Sequence, residues 1–206
     1  MNYILTLVVL IICDEISASQ KFFDYLNGIE SLEANFLQEI TDQDGVVLET
    51  SQGFLKIKKP NKYRWVYFSP MEQEIVSNGD KIWIHDPELE QVVVRDSLDS
   101  DPNMLDFIFE EPRVIAKTYS IEPLLDESDS EEKFLLTHLQ EASAIFEKAY
   151  VSFYNRIIEE VHVITGADRT LKIRLKEVRK NTEIRAQEFE FVPNKDTDVV
   201  RLLTHQ

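Results

Sequence analysis

A chain of 206 residues that is 43% hydrophobic and 29% charged has the composition of one soluble globular domain, which excludes disorder throughout. Its formal net charge of −16 repels phosphates and anionic headgroups, so no nucleic-acid partner is expected, nor adsorption to a membrane through a basic face. The one cysteine, Cys13, lies so near the N-terminus that removal of a leader would leave no disulfide and no thiol nucleophile.

Ile4 to Ile12 is an unbroken apolar run, followed by Ser17-Ala18-Ser19, small residues of the kind signal peptidases accept. The run is too short to span a bilayer as a helix. Residues 1–18 are therefore expected to be a cleavable signal peptide, although its start lacks Lys and Arg, and 19–206 to be a single domain. Cleavage would remove Asp14 and Glu15 and move the formal charge from −16 to −14. Leu10-Ile11-Ile12-Cys13 has the outline of a lipoprotein cleavage box, which would anchor the protein, but Ile12 stands where a small residue is needed.

Ser19 can cap a short helix with an apolar stripe at Phe22, Leu26 and Ile29, and Gly28 fits its stop. From Leu32 to Ile40 the apolar period becomes two, and Asp44-Gly45 turns the chain into a strand ending at Lys58. Gly53 to Gln91 continues that period through four strands, broken at Pro60-Asn61, Ser69-Pro70, Asn78-Gly79 and Asp86-Pro87. Tyr63, Trp65 and Tyr67 share one face and Arg64, Val66 and Phe68 the other, so both faces carry aromatic surface and both want cover.

Gln91 to Arg95 is a further strand. Asp101-Pro102 starts a helix with an apolar stripe of Met104, Leu105, Ile108 and Phe109, Phe107 beside it, and Glu111-Pro112 opens another short helix through Lys117. Helices this short need an apolar surface to lie on, and the second face of the sheet is available. Strands follow at Thr118 to Glu122, Lys133 to Leu139, Ala149 to Tyr154, Ile157 to Ile164, Leu171 to Val178 and Glu188 to Val192. The acidic runs Asp96 to Asp101 and Asp126 to Glu132 read as solvated loops. A sheet of about ten or eleven antiparallel strands must curl to hide one face, with the few helices plugging the curl.

His85-Asp86 are adjacent on a strand and point to opposite faces; His138, His162 and His205 lack ligand spacing. With no phosphate loop, no GxSxG and no CxxC, neither an enzyme nor a cofactor or metal site is expected. The aromatics Phe36, Phe54, Tyr63, Trp65, Trp83, Phe107 and Phe109 exceed what a plain one-layer sheet needs. Large rings can line a cavity or form a dry core, and the residues alone leave both open.

The order Gly53-x-Leu55-x-Ile57-Lys58-Lys59-Pro60-Asn61-x-Tyr63-Arg64-Trp65, then Val76-Ser77-Asn78-Gly79, Trp83, Asp86-Pro87 and Glu90-Gln91, resembles the LolA family of periplasmic outer-membrane lipoprotein carriers. The opening Leu26-x-x-Ile29-x-Ser31-Leu32-x-Ala34-x-Phe36-x-Gln38 and the closing Asn181-x-x-Ile184, Phe189-x-Phe191-x-Pro193 and Asp198-Val199 extend the likeness over nearly the whole chain after the leader. The resemblance implies an unclosed antiparallel β-barrel with a helical lid over a hydrophobic cavity. It implies a monomeric periplasmic carrier taking acylated lipoproteins from an inner-membrane ABC-type release complex to an outer-membrane acceptor. Lipid contacts are expected from Phe36, Phe54, Tyr63, Trp65, Trp83, Leu105, Phe107, Ile108 and Phe109. Lys59 stands where the family usually has an arginine that latches the closed lid, and its compact ammonium lacks the planar fork of arginine. Two other roles fit the same fold: the membrane-anchored acceptor LolB, and a lipid-sensing regulatory domain.

Overall fold

Period-two alternation of apolar residues produces the strands it predicts. The computed structural model describes residues 19–97, 112–124, 131–140, 146, 148–165 and 169–201. The expected leader and the apolar helix from Asp101 lie outside these. After a helix α1 over 19–27 come β1 (Ser31–Thr41), β2 (Val47–Lys58), β3 (Lys62–Ser69), β4 (Gln73–Asn78), β5 (Lys81–Asp86) and β6 (Gln91–Asp96). A short helix α2 (Pro112–Thr118) leads to β7 (Tyr119–Leu124), β8 (Glu131–His138), β9 (Lys148–Tyr154), β10 (Ile157–Thr165), β11 (Arg169–Lys180) and β12 (Asp198–Arg201).

All twelve described strands belong to one sheet, in the order β12-β6-β5-β4-β3-β2-β1-β11-β10-β9-β8-β7. Each neighbouring pair is antiparallel except β12 with β6, which is parallel, and β7 and β12 stand at opposite ends of the sheet. The fold is thus mainly β, an unclosed and predominantly antiparallel barrel.

Two glycines show what the chain's path demands. At Asn78-Gly79 the asparagine carboxamide accepts from the Asp80 and Lys81 amides at 3.0 and 2.9 Å, and Gly79 takes φ +98°, open to glycine without strain. At Gly53, which begins the β3 pairing after a bulge, a Cβ would collide with the Val66 carbonyl oxygen and fall 2.9 Å from the Phe36 ring. Only glycine lets that ring lie on the sheet there.

The core lies on the concave side. Its buried cluster joins Phe22, Phe23, Tyr25, Leu26 and Ile29, on and just after α1, to inward residues of β1, β2, β3 and β7 to β11, with Ile115 added by α2. Helix α1 therefore plugs the curl, as its apolar stripe predicts.

Two expectations change. Glu188 to Val192 is not a strand: Ala186–Phe189 is a 3-10 turn and the chain beyond it is irregular until β12. Strands β2 to β5 are each paired on both sides, so no edge remains there, and the segment crosses their convex face instead. It buries Phe189 fully and Ile184 almost so and covers the convex face beside Arg64, while Phe68 farther along that face stays 55% exposed. Second, Glu131 and Glu132 open β8 rather than ending a solvated loop, because Glu132 has partners on α1. No helix among the described residues is long and apolar enough to cross a membrane.

Candidate functional site: the plugged concave face

Strand register sorts the aromatic residues by face. Ala34, Leu55, Trp65 and Ile75 form one cross-strand row; Leu32, Ile57, Tyr63 and Ser77 form the row beside it; and Phe36, Gly53 and Tyr67 form a third. These rows face the core. Within them Phe36 and Trp65 approach with centroids 5.0 Å apart, Phe36 meets Tyr67 edge-on at 5.1 Å, and Trp65 stacks on Tyr67 at 6.2 Å. Burial beside Glu49 raises the Tyr67 phenol to about 12, so it stays neutral.

Of the expected lipid contacts, Phe36, Tyr63 and Trp65 therefore share the concave wall. Phe54 and Trp83 do not. Phe54 alternates with the inward Gly53 and Leu55 and meets Phe68 at 5.7 Å and Lys56 at 5.9 Å on the convex face. Trp83 pairs with Val76 and Val94, in opposite parity to the inward row of Ile75 and Ile84. Leu105, Phe107, Ile108 and Phe109 lie outside the described residues.

The far side of the curl adds rings that no motif singles out. Phe22 of α1 packs on Phe134 and Phe153 at 5.3 and 5.9 Å, and Tyr25 meets Phe153 at 5.2 Å. Phe134 and Phe153 are visible in the sequence only as members of alternating strands, which says nothing of the helix they receive.

Among the described residues, polar bonds tie the plug down at two places. The Lys59 ammonium donates to the Leu26 carbonyl oxygen at 3.1 Å, one of the last carbonyls of α1, and the Lys59 amide donates to the Glu30 carbonyl at 2.9 Å. A cation at a helix C-terminus satisfies an orphan acceptor and complements the dipole. Burial lowers the Lys59 pKa, and the charge of Glu30 opposes that shift.

At the opposite flank the Tyr25 hydroxyl donates to Glu132 Oε1 at 2.6 Å, Lys21 pairs with Glu132 Oε2 at 2.6 Å, and the Arg156 guanidinium sits 5.5 Å from the Tyr25 ring centroid. Burial pushes the Glu132 carboxyl up, but the bonds from Lys21 and Tyr25 outweigh it and hold the pKa below the ordinary value. Burial, with the Glu132 bond, raises Tyr25.

A hollow of about 750 Å³ lies between β1, β2 and β11 on the other face, with Glu33, Asn35, Phe54, Lys56 and Arg179 among its lining residues. Its charged groups are already paired, Glu33 with Arg179 at 3.1 Å and Lys56 with Glu188 at 2.7 Å, and Asn35 donates to Glu177. An apolar chain would find little there. The concave face, where apolar rings meet the apolar side of a helix, is the candidate binding surface.

Comparisons with known proteins agree with this geometry. The family described as "Outer membrane lipoprotein carrier protein LolA" matches residues 27–192. An outer-membrane lipoprotein carrier protein of Xanthomonas axonopodis pv. citri (strain 306) is 30% identical over 183 residues, covering 89% of this chain and 88% of that one. Another, from Dechloromonas aromatica (strain RCB), is 29% identical and covers 89% and 87%. Among solved structures, an uncharacterized conserved protein from Thermus thermophilus superposes with a TM-score of 0.58 at 12% identity, covering 89% of this chain and 99% of that one, which shows the shared fold. The strand register, the plugged concave face and the match over 27–192 lead to one conclusion: the chain belongs to the outer-membrane lipoprotein carrier protein LolA family.

Proposed function

We propose that residues 19–206, freed of the 1–18 leader, act as a monomeric periplasmic carrier of acylated lipoproteins. In this reading it receives cargo from an inner-membrane ABC-type release complex and delivers it to an outer-membrane acceptor. Acyl chains take the concave face in place of α1.

The observation that carries the reading is the chemistry of the plug. Phe22, Phe23, Tyr25 and Leu26 are all buried, and among the described residues Lys59 and the Glu132 cluster bond the helix directionally, with Asn181 bonding the Gly28 carbonyl just beyond it. Burying methylenes is worth ~0.8 kcal/mol each, so an acyl chain of ~15 methylenes gains roughly 12 kcal/mol on leaving water. A bilayer offers nearly the same. Net affinity relative to a membrane is then a small difference between large terms, and displacing the plug weakens binding enough for cargo to be handed on.

The test is release and transfer. Protein loaded with a labelled lipoprotein from release-complex vesicles should stay soluble and then donate the label to vesicles carrying the acceptor. Acyl binding without transfer would make it a sensor, and an intact mass retaining Cys13 with added lipid would make it an anchored acceptor.

A further inference from the structure

Trp65 is 5% exposed, and its indole Nε1 is buried with no hydrogen-bond partner. Native proteins leave few such donors unpaired, because a buried polar group without a partner loses its bond to water and gains nothing in return. Its described surroundings are mostly aliphatic and ring surface. Its cross-strand neighbours are Leu55 and Ile75, and Phe36 and Tyr67 pack on its ring. A phenylalanine would fill this wall without the penalty. The chain instead places there a ring whose polar atom is a donor and never an acceptor.

We propose that the Trp65 indole N–H is a recognition group for the acyl linkage of the cargo: it hydrogen-bonds a carbonyl oxygen of an ester that joins a fatty chain to its glyceryl head. This rests on the carrier reading and specifies which cargo atom Trp65 contacts. The chemistry narrows the ligand group. A hydrocarbon tail has no acceptor. An ionised carboxylate would need a cation, and the described residues against Trp65 supply none. A neutral carbonyl is a good acceptor that tolerates apolar surroundings once it is bonded. Such a bond would fix the linkage on the row of Leu55, Trp65 and Ile75, and distinguish acylated cargo from plain hydrocarbon.

The experiment compares two probes on the mature protein: a lipopeptide carrying an S-glyceryl cysteine with two palmitoyl esters, and the same peptide with two hexadecyl ethers, whose oxygens are much poorer acceptors. Wild type should prefer the ester by about three- to tenfold, the range expected for one hydrogen bond, and Trp65→Phe should reduce that preference to about twofold or less. Because the comparison is made within each protein, a general loss of affinity in the variant does not obscure it. With ¹⁵N-labelled indoles, the Trp65 N–H proton should move downfield on loading with the ester and not with the ether. Trp83, the other tryptophan, lies on the convex face and serves as the internal reference. Equal affinity of wild type for both probes, or an ester preference that survives Trp65→Phe, would overturn the proposal. Failure of wild type to bind either probe would instead overturn the carrier reading on which it rests.

Discussion

The sheet wears two covers, and they differ in how many apolar side chains they bury. On the concave face, α1 contributes Phe22, Phe23, Tyr25 and Leu26, all buried, and is bonded through Lys59 and through Glu132. On the convex face, the segment 183–191 buries Ile184 and Phe189 but is fixed at several polar points. Lys58 donates to the Ile184 carbonyl at 2.9 Å, Arg64 to the Glu188 carbonyl at 3.2 Å, and Lys56 pairs with the Glu188 carboxylate, lowering its pKa. Farther along, Asn78 donates to Glu190 and the His85 ring lies 4.9 Å from Phe191. Apolar contact is non-directional, so on the carrier reading acyl chains would replace the apolar contacts of the first cover with little net change. The second buries fewer apolar side chains beside its hydrogen bonds and ion pair, so lipid would gain less by replacing it. On the carrier reading the concave cover is the exchangeable one and the convex one the permanent one.

That contrast can be broken from either side. The largest effect on folding is expected at Phe189→Ala, which should cost about 3–5 kcal/mol as a cavity in the permanent cover, read as a lower melting temperature. Lipopeptide affinity of the folded fraction should not change, and a parallel loss of binding would mean that the convex segment takes part in loading. Phe22→Ala removes a comparable ring from the exchangeable cover. It should destabilise the empty protein by about 3 kcal/mol, yet raise lipopeptide affinity more than about tenfold, since the ring must leave the concave face on loading. Affinity that falls with stability would make Phe22 ordinary core.

Lys59→Leu should act more gently. The closed form loses about 1–2 kcal/mol and the loaded form little, shifting the equilibrium toward the loaded state by roughly five- to thirty-fold. Capture should persist while transfer to acceptor vesicles slows; equal transfer rates would reduce Lys59 to a solvating charge. The smallest effect is the flank at Glu132. Its folded pKa lies below the ordinary 4.5, so its contribution is present above that value and lost as pH falls through the lowered one. With Lys21 half in solvent the pair is worth about 0.5–1 kcal/mol at most, so wild type should lose α1 protection on the acid side and Glu132→Gln should flatten that loss.

Much of this architecture is legible from alternation, because a half-buried strand must place apolar residues at every second position. The four strands from Gly53 to Gln91, their turns, the α1 stripe and the shared face of Tyr63, Trp65 and Tyr67 all follow from it. Alternation fixes faces only within one strand. Trp83 and Trp65 are both odd-numbered, yet the turns between them reset the parity and leave them on opposite faces, which only register reveals. Phe54 is different: its own strand already sets it against Gly53 and Leu55, and its aromatic character alone drew it to the cavity. Phe189 and Phe191 carry the alternation of a strand without being one, because both sides of every strand beneath them were taken. The Lys59 bond was legible only through resemblance, since spacing cannot show that a strand-end ammonium reaches the Leu26 carbonyl.

Hydrogen exchange of the backbone amides tests the exchangeable cover most directly. The mature protein is measured empty and then saturated with a triacylated lipopeptide, with segment 183–191 as the reference within the same molecule. The account predicts that amides of α1 over 19–27 lose protection on loading while those of 183–191 keep theirs. Bound lipopeptide with α1 equally or better protected would contradict it, and would mean that the helix is a fixed part of the core and the cargo binds elsewhere.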